Sequence, residues 1–128
     1  MPALDDYIDS LFNVYFYHIT TPEKWVEIQK EGLKADENGE IFALTTNKPE
    51  IVDYVAINRM GITDIVIVRF NPCNAGVGTP GKIENEDAGK STAPYQRIIR
   101  RNIIRPSLLE KDGERKLDTE RVKRIPIN

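Results

Sequence analysis

The sequence predicts a single α+β domain, and three observations carry that prediction. Stretches that read as strands and helices follow in the order β-α-β-α-β, and a long loop and more β come after them. The run Ile65 to Val68 is apolar at every position, which marks a strand buried on both faces and so central in a sheet. The turn after the first strand, "HITTPE", lacks the glycine-rich phosphate loop that a Rossmann fold places there. At 128 residues the chain can bury one core and is too short for two ordinary ones, so residues 1–128 are read as one domain.

Each element has a local reason. Leu4, Ile8, Leu11 and Phe12 recur at helical spacing and predict a short amphipathic helix. "VYFYHIT" is rich in β-branched and aromatic residues, hence a buried strand from Val14 to Ile19. In "TTPEKWVEIQKEGL", Thr21 can cap a helix whose first residue is Pro22, with Trp25 and Ile28 on one face and Gly32 just past the end. A left-handed Gly32 would fold Leu33 back onto Ile28, as in a Schellman cap.

After the turn "ADENG", "EIFALT" predicts a second strand and "TNKPEIVDYVAINRMG" a second helix, opened by Asn47 and Glu50 at capping-box spacing. "TDIVIVRF" is the strongest strand. Residues 71–94 are read as a long flexible loop. "YQRIIRRNIIRPSLLEK" then gives a strand or hairpin, with Gly113 marking a further turn and residues 111–128 a basic tail.

Composition narrows the function classes. Apolar residues at 40% and charged residues at 30%, with no apolar run of membrane-spanning length, predict a soluble protein. Asp5, Asp6 and Asp9 stand where a secretory signal wants positive charge, and the single Cys73 cannot form an internal disulfide, so a reducing cytoplasm is expected. One cysteine and one histidine make a protein-built zinc site hard to assemble, and no metal is expected. Residues 1–94 carry 8 Lys/Arg against 15 Asp/Glu, whereas residues 95–128 carry 10 against 5. That basic quarter could follow a nucleic-acid backbone, or it could simply be a solvated strand and tail balancing an acidic body.

Two near-copies of a P-loop fall within residues 74–92, and neither is complete. In "GVGTPGKI" Ile83 stands where a magnesium-binding hydroxyl belongs, and ahead of Lys90 and Ser91 the first glycine is replaced by Glu84. No helix follows to present its N-terminus to a phosphate.

The only histidine, His18, has Thr20 two positions on, so both side chains share one face of the sheet. A neutral imidazole and a hydroxyl can hydrogen-bond a ribose diol; alternatively His18 packs as a core residue beside Tyr17 and Trp25. Taken in order, "YHIT", "EGLK", "EIFALTT", "VDYVA" and "YQRII" resemble the ADP-ribosyltransferase-like superfamily, which spans diphtheria-toxin-type transferases, poly-ADP-ribose polymerases and DNA-modifying toxins. The resemblance covers roughly residues 14–109.

It implies a split antiparallel β-sheet core with two to three short helices, and NAD as substrate. His18 would bind a ribose hydroxyl supported by Thr20, and Phe42 and Tyr54 would face each other across the nicotinamide. Gln96, or Tyr95 or Arg97 if the register slips by one, would occupy the place of the usual glutamate that stabilises the oxocarbenium-like transition state. A neutral amide cannot offset developing positive charge. Either Glu84, Glu86 or Asp87 of the long loop supplies it, or the domain binds a nucleotide or ADP-ribose and turns over slowly or not at all.

The activity implied is ADP-ribosyl transfer to a protein or nucleic acid, or NAD glycohydrolysis. The binding module without chemistry and a small nucleic-acid-binding protein using the basic tail are the alternatives. The RNA 2′-phosphotransferase relative is disfavoured, because no arginine precedes Arg59. The transferase reading requires His18, Phe42, Tyr54 and Gln96 to line one cleft.

Overall fold

The computed structural model describes residues 15–72, 81–82 and 95–120. The expected helix over residues 4–12, Cys73, the three loop acids Glu84, Glu86 and Asp87, and residues 121–128 lie outside them.

The first strand, β1 (Phe16–Thr20), leads directly into helix α1 (Pro22–Glu31). Thr21 is extended, with ψ 160°, and its hydroxyl accepts the Lys24 N–H at 3.3 Å, while Pro22 brings to the first turn a ring that needs no hydrogen bond. At the other end the Gly32 N–H bonds the Ile28 carbonyl at 2.8 Å. Gly32 has φ +92° and ψ 171°, so the chain leaves extended into β2 (Leu33–Lys34) instead of passing through the left-handed helical basin of a Schellman cap. Leu33 and Ile28 nonetheless share one core.

Strand β3 (Ile41–Leu44) follows a turn closed by Asp36, whose carboxylate accepts the Asn38 and Glu40 N–H groups. Helix α2 (Pro49–Val55) continues into a π-helical turn over Ala56–Met60, which Gly61 ends in the left-handed conformation at φ +68°. The capping box does not form. Pro49 fixes the first helical position, Lys48 becomes the cap residue, and Asn47 donates instead to the Asp112 carboxylate at 3.1 Å.

The remaining strands are β4 (Asp64–Phe70), β5 (Gly81–Lys82), β6 (Gln96–Ile99), β7 (Ile103–Ile104) and β8 (Glu110–Lys116), with a 3₁₀ turn at Pro106–Leu108. Three expectations are corrected here. Gly81 and Lys82 pair with Ile98 and Arg97, so part of the 71–94 segment is an edge strand. The two isoleucine pairs do not make a hairpin: β6 joins β3, whereas β7 pairs with β2 in a separate two-stranded sheet. Gly113 lies inside β8, next to a register shift that leaves Asp112 extra between the pairs Ile67–Gly113 and Val68–Lys111. Residues 111–116 are therefore strand, not tail.

The main sheet is six-stranded, in the order β5-β6-β3-β1-β4-β8, and every pairing is antiparallel. Both faces are covered. Phe16, Ile41, Ala43, Val66, Val68 and Ile99 pack beneath α1, with Leu33 and Ile104 of the small sheet. Ile19, Leu44, Ile65 and Ile67 pack on the other face against Ile51, Val52 and Val55 of α2. Ile65 to Val68 are all buried, as a central strand requires. Arg115 of β8 donates through Nε to Asp53 of α2 at 3.1 Å, pinning the edge strand to the helix. No helix among the described residues is long and apolar enough to cross a membrane.

Candidate functional site

Alternation along β1 puts Phe16, His18 and Thr20 on the α1 side of the sheet and Tyr17 and Ile19 on the α2 side. His18 and Thr20 do share a face. They open into a groove of about 460 Å³, walled by α1 through Lys24, Glu27 and Glu31 and closed by Lys34, Asp36 and Glu40. That volume suits a small-molecule ligand.

The imidazole is fixed. Its Nδ1–H donates to the Phe42 carbonyl at 2.7 Å, since a carbonyl can only accept. In a neutral ring this leaves Nε2 as an acceptor. Burial pushes the His18 pKa below the ordinary 6.5, the Phe42 hydrogen bond opposes the shift, and the Lys24 ammonium adds to it. The ring is half-buried and keeps an edge on the groove, and with its pKa lowered it is presented there as a neutral acceptor at neutral pH. Thr20 is only 3% exposed, lines the same groove, and its hydroxyl has no hydrogen-bond partner among the described residues. Strand rise sets these two groups roughly 6.5 Å apart along β1.

The other expected site residues do not join them. Phe42 lines the groove, but its ring packs on the α2 side of the sheet and lies under Arg59, whose guanidinium carbon is 4.7 Å from the ring centroid. That face is occupied by a cation of the protein itself. Tyr54 sits half-buried on α2 and does not line the groove. Gln96 pairs with Leu44, which places its side chain on the α2 face, opposite His18, and it is 1% exposed. The four-residue cleft is therefore not formed, because β3 and β6 present Phe42 and Gln96 with the parity opposite to that of His18 and Thr20. Glu84 and Glu86 lie outside the described residues.

Sequence reasoning missed Lys24, Glu27 and Glu31. Their spacing of three and four residues puts them on one stripe of α1. Charged residues there read as a solvated helix face, and only the position of His18 at the preceding strand end could have pointed to them.

A second, smaller hollow of about 200 Å³ lies beside Tyr15, Arg69, Asn71 and Ser107. Its cation is engaged: Arg69 is bonded to Glu110 at 2.8 Å and stacked over Tyr15 at 4.6 Å. Among the described residues no cluster of His, Cys, Asp or Glu is arranged to hold a metal ion. Comparisons with protein-family models, with curated proteins and with solved structures found no match to this chain.

Proposed function

We propose that this domain binds a nucleotide of the NAD or ADP-ribose class in the α1 groove, and that it transfers ADP-ribose slowly or not at all. The observation that carries the reading is the pair on β1: an imidazole held through Nδ1 by the Phe42 carbonyl and a hydroxyl without a hydrogen-bond partner among the described residues, both lining one groove. A ribose diol supplies the hydroxyl donors and acceptors that such a pair lacks.

The transferase reading, with a protein or nucleic-acid acceptor, needs a group next to the breaking glycosidic bond. Gln96 is sealed on the far side of the sheet, so a substrate held by His18 cannot touch it. That favours binding over chemistry. Calorimetry with NAD and with ADP-ribose tests the reading, run beside a nicotinamide-release assay. Binding without release, lost in a His18→Ala variant that still unfolds cooperatively, is the expected result. Rapid release would restore the transferase, and no binding of either ligand would remove the nucleotide reading.

A further inference from the structure

We infer that the end of the groove at the first turn of α1 is a phosphate subsite, in which Lys24 and Thr20 hold the anion and so orient the ligand. The inference deepens the nucleotide reading above and rests on it for the identity of the ligand, though not for the anion itself.

Charge along the groove is uneven. At the far end every carboxylate already has a partner: Glu31 lies 3.7 Å from the Lys34 ammonium, Glu40 lies 2.8 Å from Arg100, and Asp36 accepts two backbone N–H groups. At the near end the Lys24 ammonium makes no ion pair among the described residues, yet its field reaches His18 strongly enough to lower the imidazole pKa. The Thr20 hydroxyl lines the same groove, belongs to a residue more than nine-tenths buried and likewise has no hydrogen-bond partner among the described residues. A cation and a hydroxyl that opens on the groove line the same stretch of wall, and a phosphate oxygen could accept from both.

Two acids oppose this. Glu23 is in the first turn of α1 and does not line the groove; Glu27, one turn beyond Lys24, does line it and makes no ion pair among the described residues. Pro22 contributes no N–H and Thr21 occupies that of Lys24, so the Lys24 side chain, more than the helix end, supplies the attraction. The ligand then lies with its phosphate toward Lys24 and its uncharged or cationic end toward Glu31, Asp36 and Glu40.

The test is calorimetric titration of the full chain with ADP-ribose, adenosine and inorganic pyrophosphate, in wild type and in the exposed-site variants Lys24→Gln and Glu27→Gln. ADP-ribose should bind at least tenfold tighter than adenosine. Lys24→Gln should weaken ADP-ribose and pyrophosphate by about tenfold and leave adenosine unchanged, whereas Glu27→Gln should tighten both anions. Equal affinity for ADP-ribose and adenosine, or no effect of Lys24→Gln on either anion, overturns the inference. Pyrophosphate binding that depends on Lys24, without any ADP-ribose binding, keeps the subsite and overturns the nucleotide reading. Silence from all three ligands overturns both.

Discussion

Replacing Gly32 by alanine should be among the most damaging single-methyl changes in the protein, and the cost can be worked out from its surroundings. Gly32 has φ +92° with ψ 171°, a region open essentially to glycine alone, which costs a residue with a Cβ about 1–3 kcal/mol. The added Cβ would also lie 2.7 Å from the Ile104 carbonyl oxygen and 3.1 Å from the Ile103 side chain. The side chain can turn away, but the carbonyl belongs to β7, which is hydrogen-bonded to β2, so relief requires the small sheet to move off α1. Overpacking of that kind costs about 1–3 kcal/mol, for a total of about 2–6 kcal/mol.

Gly39 and Gly61 are internal controls. They have φ +74° and +68°, and a methyl added to either would meet nothing within 4 Å, so alanine there costs only the conformational part, about 1 kcal/mol. At roughly 4 °C per kcal/mol for a domain of this size, Gly32→Ala should lower Tm by about 8–24 °C and each control by about 4 °C. Thermal unfolding followed by the fluorescence of Trp25, the only tryptophan, reports directly on the α1 core. Equal shifts in all three variants would show that contact with Ile104 costs nothing and would refute the reasoning.

Three further outcomes follow from buried groups. Asp53→Ala leaves Arg115 without its 3%-exposed partner; because Arg115 itself is 33% exposed, the loss should be about 2 kcal/mol by urea unfolding, less than a fully buried pair costs, and a loss below about 0.5 kcal/mol would mean that water already satisfies the guanidinium. His18 binds a proton more readily unfolded than folded. Its stabilising contribution is complete above the unfolded value of 6.5 and is lost as pH falls through the lowered folded value. Stability should fall from about pH 7.5 to about pH 5.5, and His18→Asn should flatten that slope; a wild type equally stable at both would contradict the burial argument. Gln96→Glu places a carboxylate at a 1%-exposed site, so it should cost about 2 kcal/mol or more without conferring nicotinamide release, and release in that variant would show that Gln96 reaches the ligand after all.

The elements were legible wherever a local rule decides. Thr21, Pro22 and Gly32 bracket α1 because capping and positive φ are properties of single residues. Ile65 to Val68 announced a central strand because burial on both faces leaves an unbroken apolar run. The failures all concern partners distant in sequence. Nothing near Ile103 says that it will pair with Lys34 and not fold back on Ile98, and a bulge keeps Gly113 in register with Ile67 where glycine alone suggests a turn. At the site, His18 and Thr20 were found by period-two alternation within one strand. The parity of Phe42 and Gln96 relative to them depends on the β1–β3 and β3–β6 registers, which short motifs do not encode. Lys24 was hidden because its place in the groove wall appears only once the helix is laid over β1.

All the residues that wall the groove lie between His18 and Ile62, whereas β6, β7 and β8 buttress the sheet from outside it. The lining of the groove and the outer strands are thus written in separate stretches of the chain. Residues 95–116 reach that wall through Arg100, which pairs with Glu40, so a chimera that exchanges them for a compatible set of strands and keeps this one ion pair would inherit the groove's lining and its charge.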